Sequence, residues 1–97
     1  MISVKVKNFG ILRTWLGSLI AVQLEENAVV NDLLNEIFRK YGGHVKDLLI
    51  DPKTGTVFNY IKIFKNGRII FFDQGVNTPL ADEDEIVIIP YPAPLSL

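Results

Sequence analysis

Cysteine is missing from all 97 residues, which excludes disulfides, a thiol nucleophile and thiolate metal sites at the outset. That fits a reducing compartment. Histidine occurs once, as His44, so no Ser-His-Asp arrangement or histidine-rich metal site is expected. A surplus of one charge is also missing: 10 basic residues face 11 acidic ones for a net charge of -1. No global field then draws the chain to nucleic acid or to anionic lipid. There is no arginine-rich arm, zinc-finger spacing or RNA-binding aromatic signature, so neither nucleic acid nor membrane is an expected partner. No stretch approaches the ~18–20 apolar residues that span a bilayer. The opening MISVKVKNFG alternates, unlike the continuous apolar core of a signal peptide, and the expected location is the cytoplasm. No glycine loop of the phosphate-binding kind is present. The acidic run Asp82 to Glu85 lacks the glycine spacing of a calcium loop and reads as a charged turn before a strand. The expectation is a chain with no catalytic residue, no metal and no cofactor, and hence not an enzyme.

What is present is a foldable core. Hydrophobic residues make up 48% of the chain and charged ones 22%, enough for one domain. Ile2, Val4 and Val6 alternate with Ser3, Lys5 and Lys7, a strand with one buried face. Phe9-Gly10 and Gly17 bracket ILRTWL, a turn or short helical link offering Trp15 and Leu16 to the core. SLIAVQL (18–24) reads as a second strand. The period then changes. Leu33, Leu34, Ile37, Phe38 and Tyr41 form the stripe of an amphipathic helix, with acids early, bases late and Gly42 as C-cap. Val29 and Val30 cannot cap that helix, so Asn27 or Asn31 is expected to.

HVKDLLI (44–50) adds a short turn of helix and DPKTG (51–55) a turn. In FNYIKIFKNGRIIFF (58–72) the Asn66-Gly67 pair predicts a two-residue hairpin turn. Lys65 then faces Arg68, Ile63 faces Ile70, and Ile61 faces Phe72. After the polar loop 77–85, the unbroken apolar run IVII (86–89) predicts a central strand, of the kind often paired in parallel. One helix cannot cover both faces of four or five strands. The expected fold is therefore α+β, a mixed sheet with one main helix on one face and the other face open, as in the β-grasp or ubiquitin-like fold. Residues 1–90 are expected to form this domain and 91–97 a proline-rich tail.

These segments in order, VKVKNFGILRTWLG, VVNDLLNEIFRKYG, KNGR and NTPLADEDEIVIIP, resemble the MoaD/ThiS family of ubiquitin-like sulfur carriers, which includes the small subunit of molybdopterin synthase. The resemblance covers residues 1 to about 90. It implies a working C-terminal Gly-Gly whose carboxylate is adenylated by an E1-like enzyme and converted to a thiocarboxylate. Ser96 and Leu97 stand at that place in this sequence, and Gly42-Gly43 reads as a helix cap and loop. The resemblance thus implies a noncatalytic binding subunit or regulator whose partner is a molybdopterin-synthase large-subunit-like or E1-like protein. Two alternatives stand beside it: a sulfur carrier for molybdenum or tungsten cofactor synthesis with an atypical terminus, and a ubiquitin-like subunit of a larger oxidoreductase.

The expected binding surface is the open sheet face. Lys5 and Lys7 point outward if Val4 and Val6 point in, and Tyr60, Lys62, Phe64, Ile69 and Phe71 share that side if Ile61 and Ile63 face the helix. This apolar and aromatic patch edged with lysine suits a protein partner, or self-association through the same face. The tail residues Pro90, Tyr91, Pro92 and Pro94 form a second candidate contact. Their prolines stiffen an extended segment and remove donors, either to enter a groove or simply to end the strand.

Overall fold

The computed structural model describes residues 1–90. Five strands form one sheet: β1 (Ile2–Asn8), β2 (Leu19–Leu24), β3 (Ile61–Lys65), β4 (Arg68–Ile69) and β5 (Glu85–Pro90), in the order β2-β1-β5-β3-β4. β1 pairs antiparallel with β2 and parallel with β5, and β3 is antiparallel to both β5 and β4. The run IVII is central, as its composition predicts. Three helices, α1 (Ile11–Leu16), α2 (Val30–Tyr41) and α3 (Gly43–Leu49), complete a β-grasp architecture in which α2 is the main one.

The core lies between the helices and one sheet face. Val4 and Val6 of β1, Val22 and Leu24 of β2, Ile61 and Ile63 of β3, and Ile86 and Ile88 of β5 are buried there. Against them α2 packs Val30, Leu33, Leu34 and Ile37, while Phe38 and Tyr41 sit at its margin. On the wet side of α2 the Arg39 guanidinium hydrogen-bonds Glu36 and holds that carboxyl below its ordinary range. A depressed carboxyl favours the fold at neutral pH, and that contribution is lost as pH falls through the lowered value.

Three local expectations are corrected. Trp15 does not enter the core: α1 buries Leu12 and Leu16, and Trp15 on its outer side stacks on His44 of α3 at 5.3 Å between ring centroids. Neither Asn27 nor Asn31 caps α2. Asn27 occupies a left-handed turn (φ 67°) and Asn31 lies inside the first helical turn. Asp32 instead accepts from the Val29 N–H at 2.9 Å, and the Thr78 carbonyl accepts from the Val30 N–H at 3.1 Å. The hairpin has its two-residue turn, with positive φ at Asn66 (51°) and Gly67 (85°) and Lys65 opposite Arg68. Yet β4 ends at Ile69. Ile70 turns into the core and Ile70–Phe72 form a 3-10 turn, so the pairs Ile63–Ile70 and Ile61–Phe72 do not form.

The acidic loop is structural. The nearly buried Asp84 accepts from the Asn66 amide (2.9 Å) and the Ala81 N–H (2.7 Å), with Lys65 Nζ at 3.9 Å. Asn66 returns two bonds to Glu85, one through its side-chain oxygen and one through its backbone N–H. The hairpin turn is thereby tied to the start of the central strand. Substituting Asp84→Ala leaves two amide donors unsatisfied and is expected to cost about 2 kcal/mol. Asp82→Ala, which removes one exposed bond to the Ser3 N–H, should cost less than about 1 kcal/mol. Urea unfolding of both variants checks the ranking; equal midpoints would refute the role given to Asp84.

Candidate functional site: the open sheet face

The face turned away from the helices is assembled by register. Along one line across the sheet, Leu19 of β2 pairs with Lys7 of β1, Lys7 with Val87 of β5, Val87 with Phe64 of β3, and Phe64 with Ile69 of β4. At a strand spacing of ~4.8 Å this row is roughly 19 Å long. Leu19 is 54% exposed, and Val87, Phe64 and Ile69 are half-buried by one another. The next line carries Ala21, Lys5 and Glu85. On the other side of the row Ile89 lies beside Lys62.

The lysines are held in place. Lys7 Nζ stands 3.3 Å from a Glu85 carboxylate oxygen, and Lys62 Nζ donates to the Asn59 carbonyl at 2.8 Å. Lys5 is exposed. An apolar centre with ammonium groups along its margin is the surface that the alternation of β1 anticipates.

Of the expected site residues, Lys5, Lys7, Lys62, Phe64 and Ile69 share this face. Tyr60 stands just before β3, half-buried, its ring stacked on Phe58 at 4.9 Å. Phe71 is carried off the sheet by the 3-10 turn and lines an apolar groove with Ile61, Ile70 and Val76, to which Lys62 and Ile69 of the open face also contribute. Pro90 closes β5 opposite Ile61. Tyr91, Pro92 and Pro94 lie outside the described residues.

Leu19, Val87 and Ile89 belong to the patch and do not stand out in the sequence. IVII reads as a central strand with no alternation to mark its outward side; Ile86 and Ile88 are buried, and Val87 and Ile89 face outward. The position of Val87 opposite both Lys7 and Phe64 makes it the middle of the row.

His44, the single histidine, is exposed, and its ring stacks on Trp15. Among the described residues no group of three or more histidine, aspartate or glutamate side chains converges on a metal position. No helix among them is long and apolar enough to cross a membrane. At the far end of β5, Gly10 lies against Pro90: its φ is 61°, and a Cβ there would stand 3.2 Å from Pro90 Cγ. Gly10→Ala combines the cost of a positive-φ, extended backbone that glycine almost alone adopts (φ 61°, ψ -140°), about 1–3 kcal/mol, with that close approach. The melting temperature should fall by roughly 5–10 °C; an unchanged melt would show that the turn does not need glycine.

Comparison with known proteins bears directly on this fold. Residues 6–93 match the model of the ThiS family. No curated protein matches the sequence. Among solved structures, small archaeal modifier protein 1 of Methanosarcina acetivorans is 31% identical, with 94% of each chain covered and a TM-score of 0.80. A Pyrococcus furiosus protein assigned as molybdopterin converting factor, subunit 1, is 25% identical over 94% of this chain and 99% of its own, with a TM-score of 0.74. The BexX/CysO complex of Amycolatopsis orientalis contains a chain 24% identical, with 94% and 98% coverage and a TM-score of 0.74, a likeness of fold.

Proposed function

The chain belongs to the ThiS family, and from that premise we propose that it is a noncatalytic, cytoplasmic binding subunit that docks the open face of its sheet on a protein partner. The observation that carries this reading is the row Leu19, Lys7, Val87, Phe64 and Ile69, one residue from each of the five strands. Interfaces gain most of their energy from a few central apolar or aromatic side chains screened from water by their neighbours. Phe64 and Val87 have that position. Lys5 supplies positive charge at the margin, while Lys7 within the row is paired with Glu85; such charge steers encounter with an acidic partner surface more than it adds affinity.

The partner class is a molybdopterin-synthase large-subunit-like or E1-like protein. The relatives support it: one is assigned as a molybdopterin converting factor subunit, and CysO was solved as a BexX/CysO complex. A second reading is favoured by the family itself, whose members include sulfur carriers. In that reading residues beyond Pro90 deliver a terminal carboxylate to the activating enzyme while the same face docks.

Calorimetric titration of the chain into an E1-like enzyme and into a molybdopterin-synthase large subunit tests the docking. Phe64→Glu and Ile69→Glu, each with a native circular dichroism spectrum, are expected to weaken binding at least about 30-fold, as loss of a hot spot of about 2 kcal/mol implies. Binding within twofold of the native chain would remove the open face from the proposal. Intact mass after incubation with ATP, a sulfur donor and the E1-like enzyme separates the two readings. A gain equal to the difference between sulfur and oxygen marks a carrier and defeats the noncatalytic role.

A further inference from the structure

β2 is the outer strand of the sheet on one side, and its backbone polarity follows from register. The Asn8 N–H donates to the Ser18 carbonyl at 3.0 Å, which puts Asn8 and Ser18, one step beyond the Lys7–Leu19 pair, at a hydrogen-bonding position of the antiparallel ladder. By alternation Ile20, Val22 and Leu24 also direct their N–H and C=O groups at β1, opposite Val6, Val4 and Ile2. The parallel side agrees, because the Lys5 N–H is turned the other way, toward Asp84 on the approach to β5. Leu19, Ala21 and Gln23 therefore direct their backbone groups off the sheet. Among the described residues, no hydrogen bond outside the β1 ladder reaches the backbone of these three.

An open strand edge is normally guarded by charge, proline, a bulge or shortness. The edge at β4 is only two residues long and carries Arg68. β2 is six residues long, LIAVQL, with no charged residue and no proline. It is also complementary to itself. With a twofold axis at Ala21, the outward bonding residues match: Leu19 meets Gln23 of a second copy, and Ala21 meets Ala21. About six backbone hydrogen bonds then form. The side chains match as well, since residues directly opposite share a face. Ile20 meets Val22 on the core side, and the smallest side chain lies on the axis. Charge does not oppose the pairing. Lys5, the neighbour of Ala21, would stand three strand spacings from its symmetry mate, ~14 Å, beyond the screening length of about 8 Å in physiological salt.

We propose that a second copy of this chain pairs antiparallel along β2, giving a ten-stranded sheet with both open faces on the same side. The interface is small and belongs to the weak class. It uses the backbone edge of β2, whereas partner docking is centred on the side chains of Phe64 and Val87; Leu19 alone of the docking row lies on that edge.

Sedimentation equilibrium from about 1 µM to about 1 mM should show the mass rising from one chain toward two. Ala21→Lys sets two ammonium groups opposite each other on the axis. Ala21→Pro deletes an N–H that the β1 ladder does not use, so the fold should survive as on any edge strand. Both variants should remain single chains at every concentration with native circular dichroism. Amide exchange at Leu19, Ala21 and Gln23 should slow with concentration in the native chain only. Phe64→Glu should dimerise unchanged, which separates this edge from the docking face. A native mass that stays at one chain throughout overturns the proposal. So does a dimer that persists in both Ala21 variants, or one that forms while the three outward amides exchange as fast as before.

Discussion

The parallel pairing of β5 with β1 is the constraint on which the rest of the molecule depends. β5 is the last strand in sequence and the middle one in space, so the sheet exists only when the chain's end reaches its beginning. β1 with β2, and β3 with β4, are local ribbons that bury little alone. Inserting β5 gives both a partner at once and completes the face on which α2 lays Leu33, Leu34 and Ile37. The loop before β5 works toward the same end. Thr78, fully buried, lends its carbonyl to the first turn of α2, and the Leu80 N–H donates to the Ala28 carbonyl, so helix and sheet are tied by one segment.

The same centrality makes the open face. A side chain on β5 has a strand on each side, and Val87 meets Lys7 on one and Phe64 on the other. No single hairpin could place an apolar side chain between an ammonium and an aromatic ring in this way. The surface and the core are two sides of one strand, and what completes the core exposes the patch.

Sequence reading succeeded where signals are local. The stripe of α2 depends only on spacing, and the Asn66-Gly67 turn only on two residues that tolerate positive φ. It failed where tertiary partners decide. Nothing between Ile69 and Phe72 marks where a strand stops; Ile70 leaves the ribbon because the core has a place for it. The cap of α2 comes in part from Thr78, nearly fifty residues away, which no local rule could find. Trp15 is excluded from the core because Leu12 and Leu16 already fill the inner side of α1. The open face was legible in β1, where lysine alternates with valine. It was hidden in β5, where an apolar run carries no mark of which residue faces out.

That ambiguity in β5 has a consequence for folding specificity. Sliding a strand by one residue normally exchanges its apolar and polar sides and is forbidden by burial. In β5 the exchange would swap Ile86 and Ile88 for Val87 and Ile89, side chains of nearly the same kind, and burial would hardly resist it. Discrimination between the two alignments must come from groups with direction. Asp84 and Asn66 have it: an acceptor and an amide that meet, with Glu85 between them, in only one frame. The polar knot at the head of β5 is thus a reading-frame mark, spending a nearly buried carboxylate to choose between two hydrophobically equivalent sheets.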